Sequence, residues 1–175
     1  QGFELVNDIN DANVIIINTC GFIESAQQES INTIIEMAEL KDKNCEVLIV
    51  TGCLAQRHRE EILKEIPEVD AVLGTGSYNA IATAIRQAYD GKKVQLYGTL
   101  SDTSYMDLER MVSTGGYAYL KIAEGCDNCC TYCVIPSIKG AYRSRSLESI
   151  LHEAEKLAAS GIKELILVAQ DTTRY

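Results

Sequence analysis

Ala12–Thr19 (ANVIIINT) and Glu46–Thr51 (EVLIVT) are continuous apolar runs with the length and β-branched content of strands buried on both faces. Between them, Glu24–Lys41 carries apolar residues at helical spacing, and Arg57–Ile66 predicts an amphipathic helix that Pro67 ends. Buried strands joined by helices are typical of a parallel sheet that is covered on both faces. The predicted fold class of this first part is therefore α/β, an αβα sandwich with a parallel sheet.

The same alternation continues outward along the chain. Two further strands and one helix are predicted, at Val69–Leu73, Lys93–Tyr97 and Tyr78–Tyr89 respectively. Residues 101–116 break the rhythm with Ser, Thr, Asp and a Gly-Gly pair. We therefore predict one domain over residues 1–100 and a linker over residues 101–116.

A second strand–helix–strand pattern occupies residues 117–175. Tyr117–Ala123 and Ile162–Ala169 are predicted strands, and between them Ser146 is a predicted helix N-cap. A single βαβ unit does not bury both faces of its sheet, so we expect residues 117–175 to be the first, incomplete part of a larger domain.

The composition agrees with a folded intracellular protein. Of the 175 residues 46% are hydrophobic, which supports a core, and no run approaches the roughly 18–20 apolar residues of a membrane span. There are seven cysteines, an odd number, and four of them fall within residues 126–133. This clustering favours metal ligation over a disulfide framework, and it indicates a reducing, cytoplasmic compartment.

The charge of the chain is negative and unevenly distributed. The formal net charge is −9, and residues 115–175 hold seven basic and seven acidic side chains, so the whole excess lies before them. This is not the basic patch expected of a protein that binds phosphate backbones. An acidic surface favours a basic partner, although a merely solubilising surface explains the same charges.

The most informative motif is a short loop after the strand at residue 117. It contains Cys126, Cys130 and Cys133 at the spacing C-x3-C-x2-C. Three closely spaced thiolates can hold three irons of a four-iron cluster and leave the fourth iron for a small molecule. Cys129 opens a second possibility, because two adjacent C-x2-C pairs also suggest zinc, although zinc sites usually separate their pairs by a dozen or more residues.

Two other cysteines follow the predicted strands of the first part. Cys20 and Cys53 both lie at carboxyl ends of strands, the edge where α/β sheets bind ligands. They are candidate metal ligands, and two small buried core thiols are the alternative. Cys45 precedes its strand and belongs to the opposite edge, so we interpret it as an incidental thiol.

The residues around these cysteines resemble a known family. The loop spacing, with Tyr132 just before the last cysteine, matches the radical S-adenosylmethionine signature. Five flanking runs are similar to the methylthiotransferase family: YLKIAEGC (119–126), VIP (134–136), RSR (143–145), INTCGFI (17–23) and VTGCLAQR (50–57). This resemblance covers nearly the whole chain and implies that residues 117–175 are the first βαβ of a truncated radical S-adenosylmethionine (β/α) barrel.

The resemblance implies a two-cluster enzyme. Cys126, Cys130 and Cys133 would hold one 4Fe–4S cluster, whose open iron binds S-adenosylmethionine. Reductive cleavage would give a 5′-deoxyadenosyl radical that removes hydrogen from the substrate. An auxiliary 4Fe–4S cluster would supply the sulfur. Cys20 and Cys53 match two of its three ligands, and the third would precede Gln1.

The resemblance also implies further contacts to the cofactor. Tyr132 would pack beside the adenine, with an ordinary loop aromatic as the alternative. Arg145 would meet the carboxylate of S-adenosylmethionine or an acidic substrate, with a solvated loop as the alternative. Gln170 and Asp171 end the second barrel strand, where such barrels place their active sites. They are candidate contacts to the methionyl amine or the substrate, with capping of the loop as the alternative. No catalytic acid or base is assigned.

Two branches of the family and one other class remain as functional hypotheses. The runs YRSR (142–145) and LVAQDTTRY (167–175) resemble the branch that adds a methylthio group to the β-carbon of an aspartate in a small-subunit ribosomal protein. The transfer-RNA adenosine branch has Gly-Gln-Asn where Ala169-Gln170-Asp171 stands, so transfer RNA is the less favoured substrate. The third hypothesis is a non-catalytic iron–sulfur or zinc module.

The favoured hypothesis implies a set of partners. They are a basic ribosomal protein and an external electron donor, with no membrane. Residues 1–175 alone are expected to have little activity.

Overall fold

The computed structural model describes residues 2–108, 110–112 and 115–175, and it contains two compact units, residues 1–99 and 100–175. The first unit has four strands and four α-helices within its described residues, linked by short 3-10 turns. In chain order they are β1 Val14–Thr19, α1 Glu24–Ala38, β2 Val47–Gly52, α2 Cys53–Arg57, α3 Arg59–Glu65, β3 Ala71–Leu73, α4 Ile81–Tyr89 and β4 Val94–Leu96. All four strands are parallel, in the order β1-β2-β3-β4.

Alternate residues of β2 enter two separate cores. Leu48 and Val50 pack with Ile34 of α1 on one face of the sheet, whereas Val47 and Ile49 pack with the apolar side of α4 on the other. Every residue of β2 is buried, as expected for a central strand whose two faces are both covered. The predicted αβα sandwich is thereby confirmed.

The predicted helix Arg57–Ile66 is confirmed as α3 over Arg59–Glu65, but its first two residues were placed wrongly. Arg57–Ile66 is not continuous, because His58 has φ −112° and ψ 43° and separates α2 from α3. The first of these short helices already begins at Cys53, immediately after the strand. Periodicity marked the apolar side of α3 correctly, but it could not detect a single non-helical residue.

The second unit is built around a two-stranded parallel sheet covered by one helix. Its elements are β5 Tyr117–Lys121, β6 Ala123–Glu124, α5 Ile135–Lys139, β7 Arg143–Ser144, α6 Leu147–Ala159 and β8 Glu164–Val168. β5 pairs with β8, and β6 forms a small antiparallel ribbon with β7. The ribbon and α5 were not predicted, because elements of two and five residues are too short to show a period.

The segment predicted as a linker is partly structured. Ser104–Asp107 forms a 3-10 turn within the second unit, and Met106 is buried there. Glu109, Ser113 and Thr114, which also belong to the predicted linker, lie outside the described residues. On β8, Leu165 and Leu167 are 37% and 55% exposed, an apolar surface that a further helix would cover in a (β/α) barrel.

Candidate metal centre

The cysteine loop, residues 125–133, leaves β6 through a backbone turn that requires glycine. Gly125 has φ +81°, and a Cβ there would lie 2.2 Å from the carbonyl oxygen of Ala141 and 2.6 Å from that of Gly140. The Cys126 N–H donates to the Gly140 carbonyl at 3.2 Å. The first cysteine is therefore fixed against the chain that follows α5.

The loop presents its sulfurs to solvent. Cys129 and Cys130 are exposed, Cys126 and Cys133 are partly exposed, and all seven cysteines of the chain are thiols rather than disulfides. The Asn128 N–H donates to Cys126 Sγ at 3.4 Å, the kind of bond that tunes a sulfur-ligated cluster. Over residues 2–108, 110–112 and 115–175, however, no group of three or more His, Cys, Asp or Glu side chains is arranged to hold a metal ion.

Polar side chains fasten the start of the loop to its surroundings. Asp127 accepts a hydrogen bond from the Tyr142 N–H at 2.8 Å and forms an ion pair with Arg174 at 2.9 Å. Asn128 donates to Asp171 at 3.3 Å, just beyond the end of β8. These contacts join the cysteine loop to the carboxyl end of β8.

The carboxylate of Glu124, at the end of β6 and directly before the loop, is fully buried. Its Oε2 accepts hydrogen bonds from Tyr105 Oη and Lys121 Nζ, both at 2.6 Å, and Lys139 Nζ lies 3.6 Å away. Its Oε1 accepts from Gln170 Nε2 at 2.7 Å. We call these five residues the Glu124 cluster. Burial would raise the pKa of Glu124, but Lys139, Lys121 and the hydrogen bonds outweigh it and lower the pKa to about 2.

The predicted cofactor contacts have different surroundings. Tyr132 is 91% exposed on the loop, and Asp171 is partly exposed and caps the turn at Thr172–Arg174. Gln170 joins the Glu124 cluster, and its Oε1 is buried without a hydrogen-bond partner among the described residues. Contact of these three side chains with a cofactor stays a prediction.

Arg145 is almost completely buried and its guanidinium is occupied. It forms an ion pair with Glu153 at 2.5 Å and donates to Ser149 Oγ at 2.7 Å and to the Lys121 carbonyl at 2.9 Å. A further ion pair joins it to Asp107 at 3.4 Å. These bonds join β5, α6 and the turn at Ser104–Asp107, so the geometry gives Arg145 a structural role, and its predicted contact with a cofactor remains untested.

In the first unit, Cys20 and Cys53 come together at one sheet edge. β1 and β2 are in register to their ends, where Thr19 pairs with Gly52. A Cβ on Gly21 would lie 2.8 Å from the carbonyl atoms of Cys53, so the backbone that follows Cys20 packs directly against the start of α2. The glycine is required here by the close approach of the two backbones.

Other contacts hold this edge in place. The Cys20 N–H donates to Ser30 Oγ at 3.1 Å, and Arg57 Nη1 donates to the Gly21 carbonyl at 3.2 Å. A cavity of about 220 Å³ lies beside Cys20, and Cys53 is 7% exposed. Cys45 is buried before β2, at the other edge, where burial raises the pKa of its thiol.

Sequence reasoning missed Glu124 and Asp127. A signal for the first was present, because Leu120, Ile122 and Glu124 alternate along an apolar run and are all buried. That period places the carboxylate on the inner face. Asp127 had no comparable signal, because its partner Arg174 is distant in the sequence.

Comparisons with known proteins agree with these features. The uncharacterized protein family UPF0004 matches residues 1–74, and the radical SAM superfamily matches residues 120–175. Relatives named ribosomal protein uS12 methylthiotransferase RimO from Acetivibrio thermocellus, Thermoanaerobacter sp. and Clostridioides difficile are 58%, 53% and 54% identical over 99%, 100% and 100% of this chain. The chain spans 40% of the length of each.

A solved structure shares the fold. The radical S-adenosylmethionine methyltransferase TsrM from Kitasatospora setae matches with a TM-score of 0.53 and 16% identity, over 82% of this chain and 33% of that one. At this identity the likeness concerns the fold alone. No helix in the described part of the chain is long and apolar enough to cross a membrane. The resemblance to radical S-adenosylmethionine methylthiotransferases is confirmed.

Proposed function

We infer that this chain is part of a radical S-adenosylmethionine methylthiotransferase that modifies ribosomal protein uS12, at the β-carbon of an aspartate. The observation that carries this proposal is the identity of 51–58% to relatives named RimO over essentially the whole chain. The cysteine loop and the match of residues 120–175 to the radical SAM superfamily support the same chemistry. A cytoplasmic location is part of the proposal.

The donor sets fit two iron–sulfur clusters in their chemistry. Cys126, Cys130 and Cys133 would hold the cluster that binds S-adenosylmethionine, because they are accessible thiols on one loop. Cys20 and Cys53 would contribute to an auxiliary cluster, because the backbone that follows Cys20 packs directly against that of Cys53. When bound, these cofactors would supply the radical chemistry and the sulfur that no side chain provides.

The protein's own residues position the loop and supply polar contacts. Asp127 and Asn128 hold the first cysteine near the end of β8, where Gln170 and Asp171 are available for the cofactor or the substrate. The buried Glu124 cluster supports this end of the strand from below. An external electron donor would reduce the cluster.

The acidic first unit supports a basic protein substrate. The first unit, residues 1–99, holds 15 acidic and 8 basic side chains, and long-range attraction would bring a basic ribosomal protein to this surface. The Ala169-Gln170-Asp171 run supports the same branch of the family over enzymes that modify transfer RNA.

The proposal is tested on the whole enzyme to which these residues are inferred to belong, by anaerobic reconstitution followed by product analysis. We expect iron and sulfide in equal amounts, and 5′-deoxyadenosine on reduction with S-adenosylmethionine. Mass spectrometry should find methylthio-aspartate in uS12, whereas methylthio-adenosine in transfer RNA would assign the other branch. Uptake of zinc without sulfide would contradict the proposal and indicate a non-catalytic module.

A further inference from the structure

The Glu124 cluster carries more positive than negative charge. Lys121 and Lys139 both face the same carboxylate oxygen of Glu124, at 2.6 Å and 3.6 Å, whereas Tyr105 and Gln170 contribute uncharged hydrogen-bond donors. Because the pKa of Glu124 lies at about 2, its carboxylate is ionised at neutral pH and balances one of the two ammonium groups. One unit of positive charge is therefore left over beside the cysteine loop.

The two ammonium groups differ in burial. The side chain of Lys121 is 37% exposed and donates a 2.6 Å hydrogen bond to Glu124. The side chain of Lys139 is only 11% exposed, and its 3.6 Å ion pair is longer than a hydrogen bond. Water and salt screen an exposed charge far more than a buried one. The charge of Lys139 therefore acts more strongly on its surroundings than that of Lys121.

The backbone places Lys139 next to the cysteine loop. Lys139 ends α5, and the carbonyl of the next residue, Gly140, accepts from the Cys126 N–H at 3.2 Å. The carboxylate that the ammonium group faces belongs to Glu124, and two residues of chain, at most about 7 Å between α-carbons, separate Glu124 from Cys126. Both ends of the lysine therefore lie close to the first candidate ligand.

We propose that Lys139 tunes the cluster bound by the cysteine loop, because its buried positive charge raises the reduction potential and favours entry of an electron from the external donor. The charge around an iron–sulfur cluster is one of the properties that set its reduction potential. A nearby cation stabilises the reduced cluster, which carries one more negative charge than the oxidised cluster. The inference rests on the proposed function, since that function supplies the cluster and its donor.

The first test measures the reduction potential of the reconstituted whole enzyme. Cys20→Ser and Cys53→Ser are introduced together, so that only the cluster of the cysteine loop is loaded. Lys139→Met should make the potential more negative by about 59 mV, a tenfold change in a one-electron equilibrium constant, as expected for a unit charge about 10 Å away in a protein. Lys121→Met is the matched control, and it should shift the potential less than half as far because its charge is exposed.

Two more variants separate the charge of Lys139 from its packing. Lys139→Arg changes the shape of the side chain but keeps its charge, so the reduction potential should stay near that of wild type. Lys139→Gln removes the charge but keeps a donor for Glu124, and it should shift the potential as Lys139→Met does. Lys139→Gln also replaces Lys139→Met in the comparison should the latter fail to fold. An unchanged potential without the charge, or an equal shift in Lys139→Arg or Lys121→Met, would overturn the proposal.

A measurement on the cluster-free protein keeps this inference distinct from the proposed function. The partly exposed Cys126 is alkylated at one pH by iodoacetate, an anion, and by neutral iodoacetamide, and mass spectrometry gives both rates. Both reagents attack the thiolate, so the ratio of the two rates reports the local electrostatic potential. Lys139→Met should lower this ratio about twofold, and Lys121→Met should lower it less. An unchanged ratio in Lys139→Met would refute the charge effect itself. A lowered ratio in a protein that binds no iron would refute the proposed function and leave the charge effect standing.

Discussion

Replacement of Gly125 by alanine should damage the cysteine loop more than the same change at Gly115. The two glycines have φ +81° and φ +80°, and both lie in the second unit. A Cβ at Gly125 would lie 2.2 Å from the Ala141 carbonyl oxygen, whereas a Cβ at Gly115 meets nothing within 4 Å. The pair therefore separates the cost of a left-handed conformation from the cost of steric overlap.

The expected magnitudes follow from this geometry. At either position the left-handed conformation of alanine destabilises the folded state by about 1–2 kcal/mol. The lower conformational entropy of the unfolded chain offsets about 0.4–1 kcal/mol of this loss. Overlap with a fixed carbonyl adds about 1–3 kcal/mol at Gly125 alone. Because the Cys126 N–H bonds the Gly140 carbonyl at 3.2 Å, any relief of the overlap displaces the first cysteine.

Two assays measure the difference. Urea denaturation followed by circular dichroism should show Gly125→Ala to be about 1–3 kcal/mol less stable than Gly115→Ala. Iron content after anaerobic reconstitution should fall strongly in Gly125→Ala and stay near wild type in Gly115→Ala. Equal stability and equal iron in both variants would show that the loop does not depend on this turn.

Three further predictions concern ligation, anchoring and pH. Cys130→Ser should lose most of the loop's iron after reconstitution, whereas Cys129→Ser should keep it. Equal losses would support the alternative in which Cys129 is also a ligand, as in a zinc site. Asp127→Ala removes the ion pair to Arg174 and should lower the affinity of the cysteine loop for iron about tenfold. An unchanged affinity for iron would contradict the anchoring role of Asp127. Burial would raise the pKa of Asp70, but hydrogen bonds from two lysines and a backbone N–H lower it. The ionised Asp70 therefore stabilises the folded state fully above pH 3.8, the ordinary pKa, and this stabilisation is lost as pH falls through the lowered pKa. Asp70→Asn should lower the free energy of unfolding by about 1–3 kcal/mol at pH 7. It should also weaken the fall of that free energy with decreasing pH, measured by urea denaturation at a series of acid pH values.

Long apolar runs predicted the strands of the first unit well, because a strand buried on both faces needs apolar side chains at consecutive positions. Ala12–Thr19 and Glu46–Thr51 became β1 and β2 with small changes at their ends. Ser146 caps α6 as predicted, and its side chain accepts from the Ser149 N–H at 3.2 Å. Local chemistry of this kind can be read from sequence because both partners lie within one helical turn.

The surroundings of the candidate site could not be predicted in the same way. Arg145 contacts Asp107, which lies 38 residues away, and Glu124 contacts Gln170 across 46 residues. Neither pairing leaves a periodic signal, so the sequence could not show that the Arg145 guanidinium is already occupied. Long-range polar pairing is fixed by tertiary structure, and only the structure shows which groups are already occupied.

The three candidate ligands of the cysteine loop are anchored to different degrees. The first part of the loop is bonded to other elements of the second unit. Cys126 bonds Gly140, Asp127 bonds Tyr142 and Arg174, and Asn128 bonds Asp171. In the described part of the chain, the backbone bonds of Cys130 and Cys133 run only to Asn128 and Cys130, within the loop itself. The first ligand is therefore held in place while the other two can move toward it. Cluster binding should then order residues 129–133 much more than residues 125–128, and amide hydrogen exchange before and after reconstitution measures this directly. Equal gains of protection in both parts would show that the loop folds as one unit around its metal.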